Sequence, residues 1–167
     1  SYAHIKNFKN LWGVAQAKLE IINNIGKDGY IILNADDNFF SFFKSKSIKK
    51  KLKIVTFGVK KKSDVSLIKI KKEKSLSVIY INFNKKKLKF IVKKNLENYI
   101  YNILSTLAVI SIYFDLEKLD KYFFNNYQFP EGRGDLNTVK LNKKKINLID
   151  ESYNSNPLSL QFALNKL

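Results

Sequence analysis

The chain has no cysteine and no methionine, and it uses histidine and arginine once each. Without cysteine, neither a disulfide framework nor a thiolate metal site can form. A glycine-rich phosphate loop, GxxxxGK followed by serine or threonine, occurs nowhere in the 167 residues, and internal repeats are absent as well. A long apolar run is also missing. The most apolar stretch, Asn98 to Phe114, contains Asn102, Ser105 and Thr106 and falls short of the roughly 20 residues of a membrane span, so a buried helix is expected there. No signal peptide is visible. With no methionine at its start, and Leu167 lying inside an amphipathic pattern, the chain is expected to be a piece of a longer protein.

Lysine is abundant. The formal net charge is +17, which ordinarily points to nucleic acid or an anionic membrane surface. The accompanying excess of asparagine, isoleucine, phenylalanine and tyrosine gives a plainer cause, the coding bias of an AT-rich genome. A dedicated nucleic-acid binder favours arginine, whose planar fork binds phosphate and base edges bidentately. Nucleic acid is therefore not the expected partner.

The first patterned stretch is Ala3 to Glu20, AHIKNFKNLWGVAQAKLE. From Asn10, a suitable N-cap, Leu11, Val14, Ala15, Ile21 and Ile22 follow the spacing of a helix with one buried stripe. Lys18 falls in the middle of that stripe. A lysine there snorkels to water, loses its proton through desolvation, or is chemically changed. His4, just upstream, reads by itself as a surface or hydrogen-bonded structural residue. The two glycines in Ile25-Gly26-Lys27-Asp28-Gly29 suit a helix C-cap and a tight turn.

Tyr30 to Leu33 is wholly apolar, as in a buried parallel strand, and ends in Asn34-Ala35-Asp36-Asp37. Ligands of open α/β sheets gather beyond the carboxyl ends of strands, so this cluster is either a nucleotide-reading site or an Asx turn capping the next helix. Asn38 to Ser47 is expected to be that helix, burying Phe39, Phe40, Phe42 and Phe43. Lys53 to Phe57 reads as a second inner strand, closed by Gly58. Residues 65 to 92 alternate apolar and basic positions in three runs, the mark of antiparallel strands with one wet face. Their lysines read as a solvated surface that guards against edge pairing. Asp115 is expected to cap a last helix with Leu116, Leu119 and Phe123 inward.

Pro130-Glu131-Gly132-Arg133-Gly134 is the turn-forming stretch between two structured halves, so a domain boundary is placed there. Arg133 at its centre is either chance or a position that demands a fork-shaped, permanent charge. Asn137 to Leu141 and Ile146 to Ile149 follow as strands. In LIDESYNSNPLSLQFAL an apolar strand, a polar turn and Pro157 at a helix start make a βα unit whose turn can present side chains to a ligand.

The phrase AHxxxF, the step from His4 to Lys18, the run AKLEI and the LNADD cluster together resemble the Mur ligases, which add amino acids to the peptidoglycan precursor using ATP. The resemblance implies an α/β fold: part of a mostly parallel sheet with flanking helices plus a small antiparallel sheet, followed by the first βα unit of a Rossmann-like domain. Residues 1–129 would be the C-terminal portion of a central ATP-binding domain, 130–135 a hinge, and 136–167 the start of the C-terminal domain. The missing phosphate loop would lie upstream of Ser1, and the isolated chain would hydrolyse no ATP.

The same resemblance implies residue roles. His4 would be a magnesium ligand, and Lys18, carbamylated, would serve the second magnesium and catalysis. Asn34 would lie against adenine. Arg133, in a GR pair like the family's, would clamp the transferred γ-phosphate. Where the family reads GxHNxxNALAA, this chain keeps Asn102 as a nucleotide contact, with Asn98 and Tyr99 in place of His-Asn and Leu96 in place of glycine. DESYNSNP is similar to the DDSYNANP of those members that join D-alanyl-D-alanine to UDP-N-acetylmuramoyl-tripeptide. By that match Glu151 would orient the ATP ribose, and Tyr153, Asn154 and Asn156 would bind substrate. ATP and magnesium are the implied cofactors, in a cytoplasmic, monomeric enzyme with no membrane span. The rival readings are a basic, non-catalytic nucleic-acid-binding domain and a ligase joining glutamate to folate, against which the YNSNP motif argues.

Overall fold

The computed structural model describes residues 10–94, 96–128, 130–132, 135–142, 144–150, 152–153, 160–161 and 164. The chain divides into two compact units, one of residues 17–126 and one of residues 1–16 with 127–167. The division falls within helix α1, Leu11–Asn24. Asn10 caps that helix, its Oδ1 accepting the Gly13 N–H at 2.8 Å. Val14, Ala15 and Ile22 are buried, but Ile21, expected in the buried stripe, is 65% exposed. At the other end the Lys50 ammonium donates to the carbonyl oxygens of Ile22 and Asn23, in the last turn, where a helix runs out of its own i+4 donors. In the turn that follows, the left-handed residue is Asp28, at φ 62°, and neither glycine takes that conformation.

The larger unit is built on one five-stranded sheet in the order β1 (Tyr30–Asn34), β2 (Lys53–Gly58), β3 (Val65–Lys72), β4 (Leu76–Phe83) and β5 (Lys86–Lys93). β1 and β2 are parallel in full register from Tyr30 opposite Lys53 to Asn34 opposite Phe57. β3 joins β2 in parallel through Phe57 opposite Val65 and Gly58 opposite Ser66 alone. It then runs on as the first strand of an antiparallel meander with β4 and β5. The three alternating runs therefore extend the parallel sheet, where the sequence suggested a separate small one. The two pairs at the start of β3 carry the hydrogen bonding across.

Period two sorts the meander into faces. Ile79 faces Phe90 across the β4–β5 ladder, Ser77 faces Val92, and all four are essentially inaccessible. Burying an aliphatic or aromatic side chain of this size contributes about 1.5–3 kcal/mol, which makes this pair of strands the centre of the core. Phe124 closes it, edge-on to Phe90 with ring centroids 5.9 Å apart. The sequence reading put Phe123 there, but Phe123 is 45% exposed. The reason is that 115–126 does not form the expected helix. Asp115 does cap, accepting the Glu117 N–H, but only a single 3-10 turn, Leu116–Lys118, follows.

Two helices lie on the sheet. α2, Phe40–Lys49, meets β1 and β2; its phenylalanines are half-buried, and Ser47 is its buried residue. α3, Ile100–Ile110, follows a 3-10 turn at Leu96–Tyr99 and lies against β1, β2 and β3 through Ile103, Leu104, Leu107 and Ala108. It is shorter than the apolar run suggested, and Tyr113 and Phe114 are exposed beyond it.

In the smaller unit β6, Asp135–Leu141, and β7, Lys144–Asp150, form a two-stranded antiparallel ribbon. Its Val139, Leu141, Ile146, Leu148 and Ile149 are exposed. Gly132, at φ 75°, accepts the Tyr153 N–H at 3.1 Å, and a Cβ there would come within 2.9 Å of that nitrogen, so only glycine fits. Beyond Pro157 the expected helix is described at Leu160, Gln161 and Leu164.

Candidate functional site

Two parallel strands, β1 and β2, end side by side at Asn34 and Gly58, and the loops after them make the site. The residues of the LNADD cluster divide the work. Asn34 Oδ1 accepts the Asp36 N–H at 3.0 Å and Asp37 Oδ1 accepts the Phe39 N–H at 2.7 Å, so both are Asx turns that lead into α2. Asp36 does something different. Its carboxylate accepts the backbone N–H groups of Val59 at 2.6 Å, Lys60 at 3.0 Å and Lys61 at 2.8 Å, and the Tyr101 hydroxyl at 3.2 Å. One side chain thus ties the end of β1 to the β2–β3 loop and to α3. Burial works to raise its pKa, but the N–H groups of Lys60, Val59 and Lys61 and the Tyr101 hydroxyl outweigh it and hold the carboxyl below its usual value. Burial, followed by the charge of Asp36 and the bond to it, pushes Tyr101 above its usual value.

A second tie steadies the same loop. Asp64 Oδ2 accepts from the Thr56 N–H at 2.8 Å and hydroxyl at 2.6 Å, and the Asp64 N–H returns a bond to Thr56 Oγ1 at 2.9 Å. Sequence reasoning missed Asp36 and Tyr101 because they find their partners 23 to 65 positions along the chain, and Asp64 because its partner Thr56 lies across the β2–β3 loop. The one available signal was a second aspartate in the LNADD run, more than a single Asx turn needs.

Below Asn34 a hollow of about 310 Å³ opens between α1, β1 and the start of α2. Ile22, Ile31 and Phe40 are among its apolar walls, and Lys18, Asn34 and Asp37 are its polar members. Two of the expected site residues, Lys18 and Asn34, thus meet at one feature. Lys18 needs a correction, however. It is exposed, not core-facing, because the arc through Val14, Ala15 and Ile22 opens at its position into the hollow.

Of the other expected residues, Asn102 is exposed on α3, next to the tied Tyr101, and Tyr153 is exposed beside Gly132. His4, Arg133, Glu151, Asn154 and Asn156 lie outside the described residues. Among the described residues no group of three histidine, cysteine, aspartate or glutamate side chains gathers as metal ligands. At the hollow the donor set is one carboxylate, Asp37, beside a lysine. Magnesium takes one or two carboxylates with water and phosphate oxygens, so the hollow offers the lower end of such a set. No helix among the described residues is long and apolar enough to cross a membrane.

A parallel β-pair whose carboxyl ends carry a tied polar loop above an apolar hollow marks the chain as part of an open α/β domain, the class in which ligands gather beyond the strand ends. More particularly, the family model for the Mur ligase middle domain matches residues 1–110, and the chain belongs to that family. The UDP-N-acetylmuramoyl-tripeptide–D-alanyl-D-alanine ligase of Buchnera aphidicola subsp. Baizongia pistaciae is 30% identical over 98% of this chain and 34% of its own length. The crystal structure of MurF from Acinetobacter baumannii superposes with a TM-score of 0.78 at 22% identity, over all of this chain and 36% of that one. MurF from Thermotoga maritima, crystallised in complex with ADP, gives 0.75 at 18%, again over all of this chain and 37% of that one. The chain thus spans about a third of the length of the relatives it matches, and it shares their mixed α/β fold.

Proposed function

We propose that the protein containing this chain is an ATP-dependent ligase that joins D-alanyl-D-alanine to UDP-N-acetylmuramoyl-tripeptide in peptidoglycan synthesis. What carries this reading is a similarity to a curated ligase of that name running through nearly the whole chain, DESYNSNP included. The meeting of Lys18 and Asn34 at one hollow beyond two parallel strands supports it. Residues 1–129 are the later part of the ATP-binding domain, 130–135 the hinge and 136–167 the start of the next domain. The uncovered apolar residues of the β6–β7 ribbon suit a sheet that continues into such a domain.

The reaction has two steps. A carboxylate oxygen of the tripeptide attacks the γ-phosphorus of ATP, the bond to the bridging oxygen breaks, and ADP leaves an acyl phosphate. The amine of D-alanyl-D-alanine then attacks the acyl carbon; inorganic phosphate departs and the nitrogen gives up a proton. Here the protein mainly positions groups and neutralises charge. Asn34 reads the adenine, with Asn102 a second nucleotide contact, Glu151 orients the ribose, and Arg133 stabilises the phosphoryl group in flight. Tyr153, Asn154 and Asn156 bind substrate. His4 and carbamylated Lys18 would hold magnesium, which would screen the phosphate charge. The exposure of Lys18 suits such a modification, since carbon dioxide must reach the amine. The protein works in the cytoplasm as a monomer.

The test is ligation by the intact protein, followed as phosphate release. Release that requires ATP, the UDP-tripeptide and D-alanyl-D-alanine together is expected. Release that ignores the dipeptide, or follows a single amino acid in its place, overturns the substrate assignment. Lys18→Ala in the intact protein is expected to abolish ligation.

A further inference from the structure

We propose that Asp36 and Tyr101 are positioning residues that set Asn34 for base recognition, and so fix the preference for adenine over guanine in the nucleotide triphosphate. The inference rests on the reading of Asn34 as the base contact and extends it to two residues that touch no ligand. Asn34 is the last residue of β1, and its side-chain oxygen is oriented by the N–H of Asp36. That N–H is only as fixed as residue 36 itself. Residue 36 is held from two sides: the preceding Ala35 N–H donates to Phe57 O at 2.8 Å, and its own carboxylate takes three N–H groups of the 59–61 loop.

The fourth bond, from the Tyr101 hydroxyl at 3.2 Å, comes from the first turn of α3 and spans 65 positions in sequence. The next residue, Asn102, is exposed on that helix. The two asparagines assigned to the nucleotide therefore sit on β1 and α3, and this hydroxyl joins the two elements beside them. Without it, helix and strand would still pack through Ile103, Leu104 and Leu107. Only the polar tie that aligns the two amides would go.

The variant to make is Tyr101→Phe in the intact protein, since it removes one oxygen and leaves the ring in place. Asp36→Asn is made beside it. The Michaelis constant for ATP, kcat, the ratio of kcat/KM for ATP over GTP, and the thermal midpoint are measured for each. Losing one hydrogen bond that acts on ligand alignment corresponds to about a fivefold effect. For Tyr101→Phe the KM for ATP is expected to rise by about that factor, and the ATP preference to fall alike. Its kcat should stay within about twofold and its thermal midpoint close to the parent's. Asp36→Asn is expected to exceed it in the same direction.

An unchanged KM and an unchanged base preference in Tyr101→Phe overturn the proposal, as does a loss confined to the thermal midpoint, which is what a purely structural tie gives. If the parent protein does not ligate, the functional reading fails by itself. Calorimetric titration with ATP and with GTP then decides the inference: a reduced ATP preference in Tyr101→Phe supports it. Equal binding of both nucleotides by the parent, or none, overturns it.

Discussion

Asp36 is the residue on which most of the local order converges, and its titration gives that order a pH dependence. Its folded pKa lies below the ordinary carboxylate value, 3.8. The stabilisation this represents is fully present above the unfolded value and is lost as pH falls through the folded one. The gap in urea midpoint between the protein and its Asp36→Asn variant is therefore expected to be widest near neutrality and to close below about pH 4. A gap that stays constant into acid would show that the carboxylate charge contributes nothing. Gly58 answers to the same geometry. A Cβ at that position would lie 3.2 Å from Lys61 O and 3.3 Å from both Asp36 Oδ2 and Ser63 Oγ. The first is backbone and the second is held by three hydrogen bonds, so neither yields cheaply. Gly58→Ala is expected to cost about 1 kcal/mol in denaturant unfolding, with Asp36→Asn partly relieving it in the double variant. None of this was legible in sequence, because the Asp36 partners stand 23 to 65 positions away. Lys18 misled for the converse reason. Its spacing placed it correctly on the arc of Val14 and Ile22, but spacing does not say where the surface covering that arc gives out.

Among the elements, those with strict periodicity could be read directly and those set by tertiary packing could not. β3, β4 and β5 lie where alternation put them, and the apolar runs YIIL and KIVTF are the parallel pair. The Asn10 cap of α1 was legible too, since it depends on residues three apart. The segment after Asp115 was not. Its helical spacing is outweighed by Phe124, which turns to pack edge-on to Phe90, and by the Ile91 N–H, which donates to Lys121 O at 2.7 Å and draws this segment to the edge of β5. The β4–β5 hairpin carries a cost of its own. Its two turn residues, Asn84 at φ 50° and Lys85 at φ 64°, are both left-handed. Such a tight turn matches the twist of the strands but wants glycine at its second position. Asparagine tolerates that conformation and lysine does not. Lys85→Gly is expected to stabilise the protein by about 0.5–1 kcal/mol, read as a higher urea midpoint with unchanged slope. A loss of stability would show that the Lys85 side chain makes contacts worth more than the strain.

The charge belongs to the whole molecule. Lysine and arginine outnumber aspartate and glutamate by 31 to 14, so the net charge of +17 remains however many of the acids are paired; the described ion pairs are Lys71–Glu73, Lys72–Glu97 and Lys86–Glu117. Part of that charge lies on the outer face of the antiparallel strands, where Lys69 and Lys89 stand opposite Tyr80, Lys71 and Lys87 lie diagonal to it, and all four are exposed. Such a face could be taken for a nucleic-acid platform, but platforms of that kind offer bare aromatic rings to bases. Here the Tyr80 ring already carries the ammonium groups of Lys87 at 4.6 Å and Lys69 at 5.4 Å. The face therefore behaves as a solvated surface whose main effect is self-repulsion. Raising sodium chloride from about 10 to 100 mM shortens the screening length from about 30 to about 10 Å, and the urea midpoint is expected to rise over that interval. Retention on single-stranded nucleic acid is expected to vanish over the same interval, and added RNA should leave the rate of ATP-dependent ligation by the intact protein unchanged. A midpoint that falls with salt would mean that the lysines are paired in ways their spacing on the sheet does not suggest. Retention that persists, together with ligation inhibited by RNA, would make the lysine face a binding surface after all.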